Sequence, residues 1–134
     1  LTDAMMKIHQ YCMMCASSTA QIAGIEAIEH GEADIAEMRE SYNLRRNFIV
    51  NSLNGMGLDC FMPRGAFYVF PSIQSTGLTS QEFALRLLNE YSVACVPGTA
   101  FGACGAGFLR CAYATGMDQL KEAMDRLSAF IKRL

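Results

Sequence analysis

Apolar residues recur at helical spacing through the opening stretch of the chain. Leu1, Met5, Ile8 and Cys12 share one face of a helix predicted over Leu1 to Met14. Cys15-Ala16-Ser17-Ser18-Thr19 interrupts the pattern with small hydroxyl residues suited to cap a second helix. That helix, Ala20 to His30, carries Ile22, Ile25 and Ile28 on its stripe, with Gly31 as its stop. A longer helix is predicted over about Ala33 to Leu53. Ile35, Met38, Tyr42, Ile49 and Leu53 line one side of it, with Arg39, Glu40, Arg45 and Arg46 mostly off that side. Asn54-Gly55-Met56-Gly57 ends it and marks the entry to a separate α/β unit.

Past that point the spacing changes. Leu58 to Met62 and Ala66 to Phe70 read as short strands around the turn Pro63-Arg64-Gly65. Ala66-Phe67-Tyr68-Val69-Phe70 is apolar on both faces, which predicts a central, covered strand. Thr79 and Glu82 form a capping box for a helix bearing Phe83, Leu87, Leu88 and Tyr91. Val93 to Val96 is the third strand, closed by Pro97-Gly98. A loop from Gly98 to Gly107 then holds a single large side chain, Phe101. Strand four is Phe108 to Tyr113, and a last helix, about Asp118 to Lys132, presents Leu120, Met124, Leu127 and Ile131. The order β-β-α-β-β-α predicts an α/β (α+β) fold. Its sheet should be small and mostly antiparallel or mixed, with helices on one face and the long helix ahead of it.

Composition adds a constraint. The chain has 134 residues, of which 51% are hydrophobic and 18% charged, an apolar balance that implies surface meant for another domain or subunit. Net charge is −2 with scattered basic residues, which argues against nucleic acid as a partner. No apolar run is long enough to span a membrane, and no signal-peptide architecture is present. The chain starts at Leu1, inside what reads as a helix already under way, so a piece of a longer chain is expected. The six cysteines sit mostly inside apolar runs and read as free thiols of a reducing cytoplasm. Cys12-Met13-Met14-Cys15 spells CxxC, but it lacks the second ligand pair or preceding strand that a zinc or redox site needs; no metal is expected.

The candidate chemistry is concentrated in Gly107-Phe108-Leu109-Arg110-Cys111-Ala112-Tyr113-Ala114. Along a strand, Phe108, Arg110 and Ala112 share one face and Leu109, Cys111 and Tyr113 the other. A guanidinium on a covered sheet face loses hydration, so an anion should meet Arg110, either a side chain or a ligand carboxylate that fits its planar fork. The plainer alternative is an edge strand with Arg110 in water. The loop Gly98 to Gly107 lacks the Gly-Lys-Ser/Thr ending of a phosphate-binding loop and leads into a strand, so a close backbone approach is the better reading. His9 and His30 have no partners in sequence, and Lys7, Lys121 and Lys132 occupy polar helix positions unlike a desolvated nucleophile. No catalytic residue is visible.

Three stretches in order resemble the carboxy-terminal part of the class I/II pyridoxal-phosphate aminotransferases of fold type I. They are Pro63-Arg64-Gly65-Ala66-Phe67-Tyr68-Val69-Phe70-Pro71, Val96-Pro97-Gly98-Thr99-Ala100-Phe101-Gly102 and Gly107 to Ala114. Met6-Lys7-Ile8-His9-Gln10-Tyr11 and Ser17-Ser18-Thr19-Ala20-Gln21 are similar to the segment after the family's cofactor lysine. The resemblance implies that 1–31 is a remnant of the large cofactor-binding domain, 32–57 an interdomain helix and 58–134 the small domain. It implies that Arg110 binds the substrate α-carboxylate and that the turn at Gly65 approaches the substrate side chain. It implies pyridoxal 5'-phosphate in the full-length protein, held by a lysine outside this chain, so the fragment alone should be inactive. Amino-acid and 2-oxo-acid substrates of aspartate or aromatic type, the missing large domain and a homodimer partner follow from it too. Cys111 and Ala112 beside Arg110 depart mildly from the family, which usually has a serine there. The competing readings are a stand-alone α/β amino-acid-binding or regulatory module and a structural dimerisation fragment.

Overall fold

The computed structural model describes residues 1–134. Two units of packing divide the chain, Leu1–Arg39 and Glu40–Leu134.

The first unit contains helices α1 (Thr2–Met13) and α2 (Ser18–His30) and the start of α3 (Glu32–Gly55). Ser17 caps α2, its hydroxyl accepting from the Ala20 N–H at 3.3 Å. Gly31 ends α2 as expected, following His30 as its C-cap. It keeps right-handed helical backbone, donates to Ala27 O at 3.0 Å and accepts from Ile35 at 3.0 Å, so α2 passes almost directly into α3. Neither α1 nor α2 buries a single residue, and Ile8, Ile22 and Ile28 stand exposed.

The second unit carries the sheet. Its strands are β1 (Tyr68–Val69), β2 (Val96–Pro97) and β3 (Leu109–Ala112), all pairs antiparallel, in the order β1-β3-β2. Helices α4 (Ser80–Tyr91) and α5 (Met117–Ile131) supply the core with Phe83, Leu87, Leu120, Met124, Leu127 and Phe130. These bury with Val69, Leu109 and Tyr113 of the sheet segments and with Ile49, Val50 and Leu53 of α3. Each such side chain contributes roughly 1.5–3 kcal/mol on leaving water. Phe83 and Phe130 meet edge to face with centroids 5.0 Å apart. The capping box of α4 forms in both directions, Glu82 N–H donating to Thr79 Oγ1 at 3.2 Å and Thr79 N–H to Glu82 Oε2 at 3.1 Å.

Three strand expectations are corrected, and the third strand, expected over Val93 to Val96, is β2 at Val96–Pro97. Leu58 to Met62 forms no strand, because its polar backbone is satisfied by a side chain. Asn54 at the end of α3 accepts from Cys60 N–H at 2.9 Å and donates to Cys60 O at 3.1 Å, leaving only Ser72 N–H to Asp59 O, at 2.8 Å, as a sheet-like bond. The stretch Ala66 to Phe70 is not central. β1 is an edge, β3 is the middle strand, and Phe67 and Phe70 are 39% and 43% exposed. The two-sided apolar pattern reflects a buried face toward α4 and α5 and an aromatic face on the other side.

The glycine-rich connection Gly98 to Gly107 makes two short 3-10 turns, Gly98–Phe101 and Ala103–Gly105. A Cβ on Gly98 would stand 2.2 Å from Gly105 O, and one on Gly105 would stand 2.0 Å from Gly98 O. Backbone passes backbone at this crossing, the close approach expected from sequence. Gly98 N–H donates to Phe108 O at 2.8 Å and Gly107 N–H to the buried Ser80 hydroxyl at 3.0 Å, tying the loop to β3 and to α4.

Candidate functional site

β3 presents its residues as strand alternation requires. Leu109 and Tyr113 are buried at 1%, while Arg110 is half-buried and Ala112 exposed. The register sets Tyr68 opposite Ala112 and Val96 opposite Arg110, so these four side chains share the open face. Arg110, Ala112 and Val96 also line, with Ala94 and Cys95, a cavity of about 150 Å³.

Arg110 has no acidic neighbour. The three ion pairs of the chain are His30–Glu26, Arg86–Glu90 and Arg126–Glu122. Its guanidinium lies instead between two aromatic rings, Cζ standing 4.5 Å from the Tyr68 centroid and 4.6 Å from the Phe101 centroid. Attraction between a cation and a ring face extends to about 6 Å, so both contacts count. Arg45 and Arg86 also stack on rings, at 5.4 Å from Tyr42 and 5.3 Å from Phe130, but each on one ring only. Phe101 is itself held edge-on by Phe70, with centroids 5.8 Å apart.

The covered side of the same strand adds no charge near neutral pH. Burial pushes the Cys111 thiol far above its ordinary range, and neighbouring Cys95 and Cys60 push it further. Burial likewise raises Cys95 and Cys60 to about 11. The site therefore presents one guanidinium on an aromatic sheet face, a planar fork of donors with the shape to pair with a carboxylate.

Gly65 lies in the turn leading into β1, three residues before Tyr68. A Cβ there would meet nothing within 4 Å and its backbone is not left-handed. The strained residue is the next one, Ala66, at φ 60, whose carbonyl accepts from the Tyr113 hydroxyl at 2.8 Å. The turn is fixed from below by Arg46, whose Nη1 donates to Pro63 O at 3.2 Å, and by Tyr42 stacked against Phe67 at 6.2 Å. Nothing within this chain demands a glycine at 65.

Sequence reasoning singled out Arg110 and missed its ring partners. Phe101 had left a signal as the single large side chain in a loop of small ones; Tyr68 had left none beyond its place in an aromatic strand. Lys7 on α1 and Lys121 on α5 are exposed, as expected, and Lys132 is exposed one residue past the end of α5. No group of three or more histidine, cysteine, aspartate or glutamate side chains could hold a metal ion, and no helix is long and apolar enough to cross a membrane.

The family model for aminotransferase class I and II matches residues 1–127. The chain is 51% identical over 133 residues to a putative aminotransferase, YugH, of Bacillus subtilis, covering 99% of this chain and 34% of that protein. It is 46% identical over 126 residues to a probable N-acetyl-LL-diaminopimelate aminotransferase of the same organism, covering 94% of this chain and 32% of the relative. The crystal structure of an aromatic aminotransferase from Pyrococcus horikoshii superposes with a TM-score of 0.91 at 41% identity, over 98% of this chain and 36% of that one. The chain thus spans about a third of the length of the relatives it matches.

Proposed function

The chain belongs to the class I and II aminotransferase family, and from that premise we propose that it forms the carboxy-terminal part of an enzyme exchanging an amino group between an α-amino acid and a 2-oxo acid. Arg110 is the substrate-carboxylate receptor. The observation that carries this reading is a planar cation on an open sheet face with no acid of its own chain beside it. A carboxylate arriving edge-on can accept two parallel N–H bonds from the guanidinium, which fixes both the position and the plane of the substrate's α-carbon. The free space around Gly65 gives the substrate side chain a surface to approach without meeting a Cβ.

The division of labour follows from what this chain lacks. Its three lysines, Lys7, Lys121 and Lys132, are all exposed, so none offers the desolvated amine that would hold pyridoxal 5'-phosphate, and the residues present do not fit that group. In this reading the cofactor is bound by residues outside the chain, 1–31 completes the large domain, 32–57 bridges the domains and 58–134 is the small domain. Added pyridoxal 5'-phosphate should give no saturable one-to-one adduct with the isolated chain. Borohydride reduction followed by peptide mapping checks this, and a stoichiometric label on Lys7, Lys121 or Lys132 would contradict it.

The substrates are α-amino acids of aspartate or aromatic type, the assembly is a homodimer, and the compartment is a reducing cytoplasm in keeping with six free thiols. The direct test supplies the full-length protein with each amino acid and 2-oxoglutarate and measures glutamate formed. Transfer from aspartate or an aromatic amino acid is expected. No transfer from any α-amino acid would overturn the reading, and transfer only from an N-acetylated diamino acid would move the substrate class.

A further inference from the structure

The aromatic pair around Arg110 has a geometry that neither ring's burial explains. Phe101 is 48% exposed, so its ring is not anchored as core, and Tyr68 sits on the edge strand. Yet the two rings lie within 4.6 Å of the same guanidinium carbon. They come from separate segments of the second unit, β1 and the loop after β2. Tyr68 arrives through the β1–β3 register, Phe101 through the loop whose backbone crossing at Gly98 and Gly105 tolerates no Cβ.

We propose that Phe101 and Tyr68 are positioning residues that hold the Arg110 guanidinium for a carboxylate, and that the tight Gly98–Gly107 loop serves to place Phe101. The inference rests on the carboxylate-receptor reading above. A planar cation has two faces and an edge. Rings packed over its central carbon leave the N–H donors at its edge as the approach for an anion. Stacking also removes the rotamer freedom that a long side chain on an open sheet face would otherwise give up when ligand binds. Ring faces attract the cation without offering it an anion, so the receptor stays uncompensated until substrate arrives. A carboxylate neighbour would have ordered the same side chain and blocked it.

The test uses the full-length enzyme and 3-phenylpropanoate, a carboxylate with no amino group to transfer. Phe101→Leu keeps apolar bulk and removes the ring; it should weaken 3-phenylpropanoate binding about 3- to 30-fold, the range of one partly desolvated cation–ring contact. Phe101→Tyr should recover most of that loss, which mere filling of space would not predict. Tyr68→Leu, in β1 and outside the loop, should weaken binding by a similar factor and stands in if the Phe101 variant misfolds. For an amino-acid donor the loss should fall mainly on KM, and a carboxylate-free amine should be unaffected. If both leucine variants bind the probe within about twofold of the parent while Arg110→Ala loses it, the clamp is wrong and the receptor stands. If Arg110→Ala also binds normally, the receptor reading itself has failed.

Discussion

At the scale of single residues, Arg110 was legible because a lone charge inside an apolar strand must answer for its hydration. Its rings were not legible, since Phe101 reaches it from a loop whose path no periodicity encodes. Gly65 offers a clean separation of fold from function. With open space at its missing Cβ and no left-handed backbone, Gly65→Ala should leave the unfolding midpoint within the roughly 0.5 kcal/mol typical of neutral surface changes. In the full-length enzyme the added methyl should raise KM for large-side-chain donors, by about tenfold where it meets them. An unchanged KM would remove Gly65 from the site. The buried thiols make a second prediction. Cys95 and Cys60 ionise only near 11 when folded but near 9.0 when exposed, because burial favours the neutral thiol. Their contribution is intact below pH 9 and is lost as pH rises toward 11. Urea midpoints should fall over that window, and thiol reagents at pH 8 should label exposed Cys12, Cys15 and Cys104 well before the other three.

At the scale of elements, the helices were readable because stripes and caps are local; the Thr79–Glu82 box formed as its spacing required. Strands were harder. The expected strand at Leu58 to Met62 was lost to one side chain, Asn54, which binds both backbone groups of Cys60. The breadth of Ala66 to Phe70 suggested a covered middle strand, whereas its second apolar face is the open face beside Arg110. Two backbone positions test this level. Ser92 closes α4 in left-handed conformation at φ 56, so Ser92→Gly should stabilise by a few tenths to about 1 kcal/mol in chemical denaturation. Gly98→Ala should do the reverse. Its methyl would meet the Gly105 carbonyl oxygen at 2.2 Å, backbone that cannot swing aside, at a cost of about 1–3 kcal/mol. Wild-type stability in Gly98→Ala would mean that the loop crossing is looser than described.

For the molecule as a whole, the excess of apolar residues in the composition has a location. The helices α1 and α2 bury nothing, and Met5, Ile8, Ile22, Ile25 and Ile28 are each more than half exposed. A surface of that kind is matched to a partner, so the isolated chain should self-associate; a clean monomer by light scattering after size exclusion would count against this. Carboxylate recognition in the complete enzyme depends, in the proposed reading, on Arg110. Truncating one side of a buried charge pair costs roughly 2–5 kcal/mol, so Arg110→Ala should lower kcat/KM for an α-amino acid by about thirty-fold to several thousand-fold. Arg110→Lys should restore only part, because a point charge cannot hold both carboxylate oxygens in plane, and a carboxylate-free amine should lose little in either variant. Amino-acid turnover by Arg110→Ala within about twofold of the parent would make Arg110 an ordinary strand residue and contradict the account at its centre.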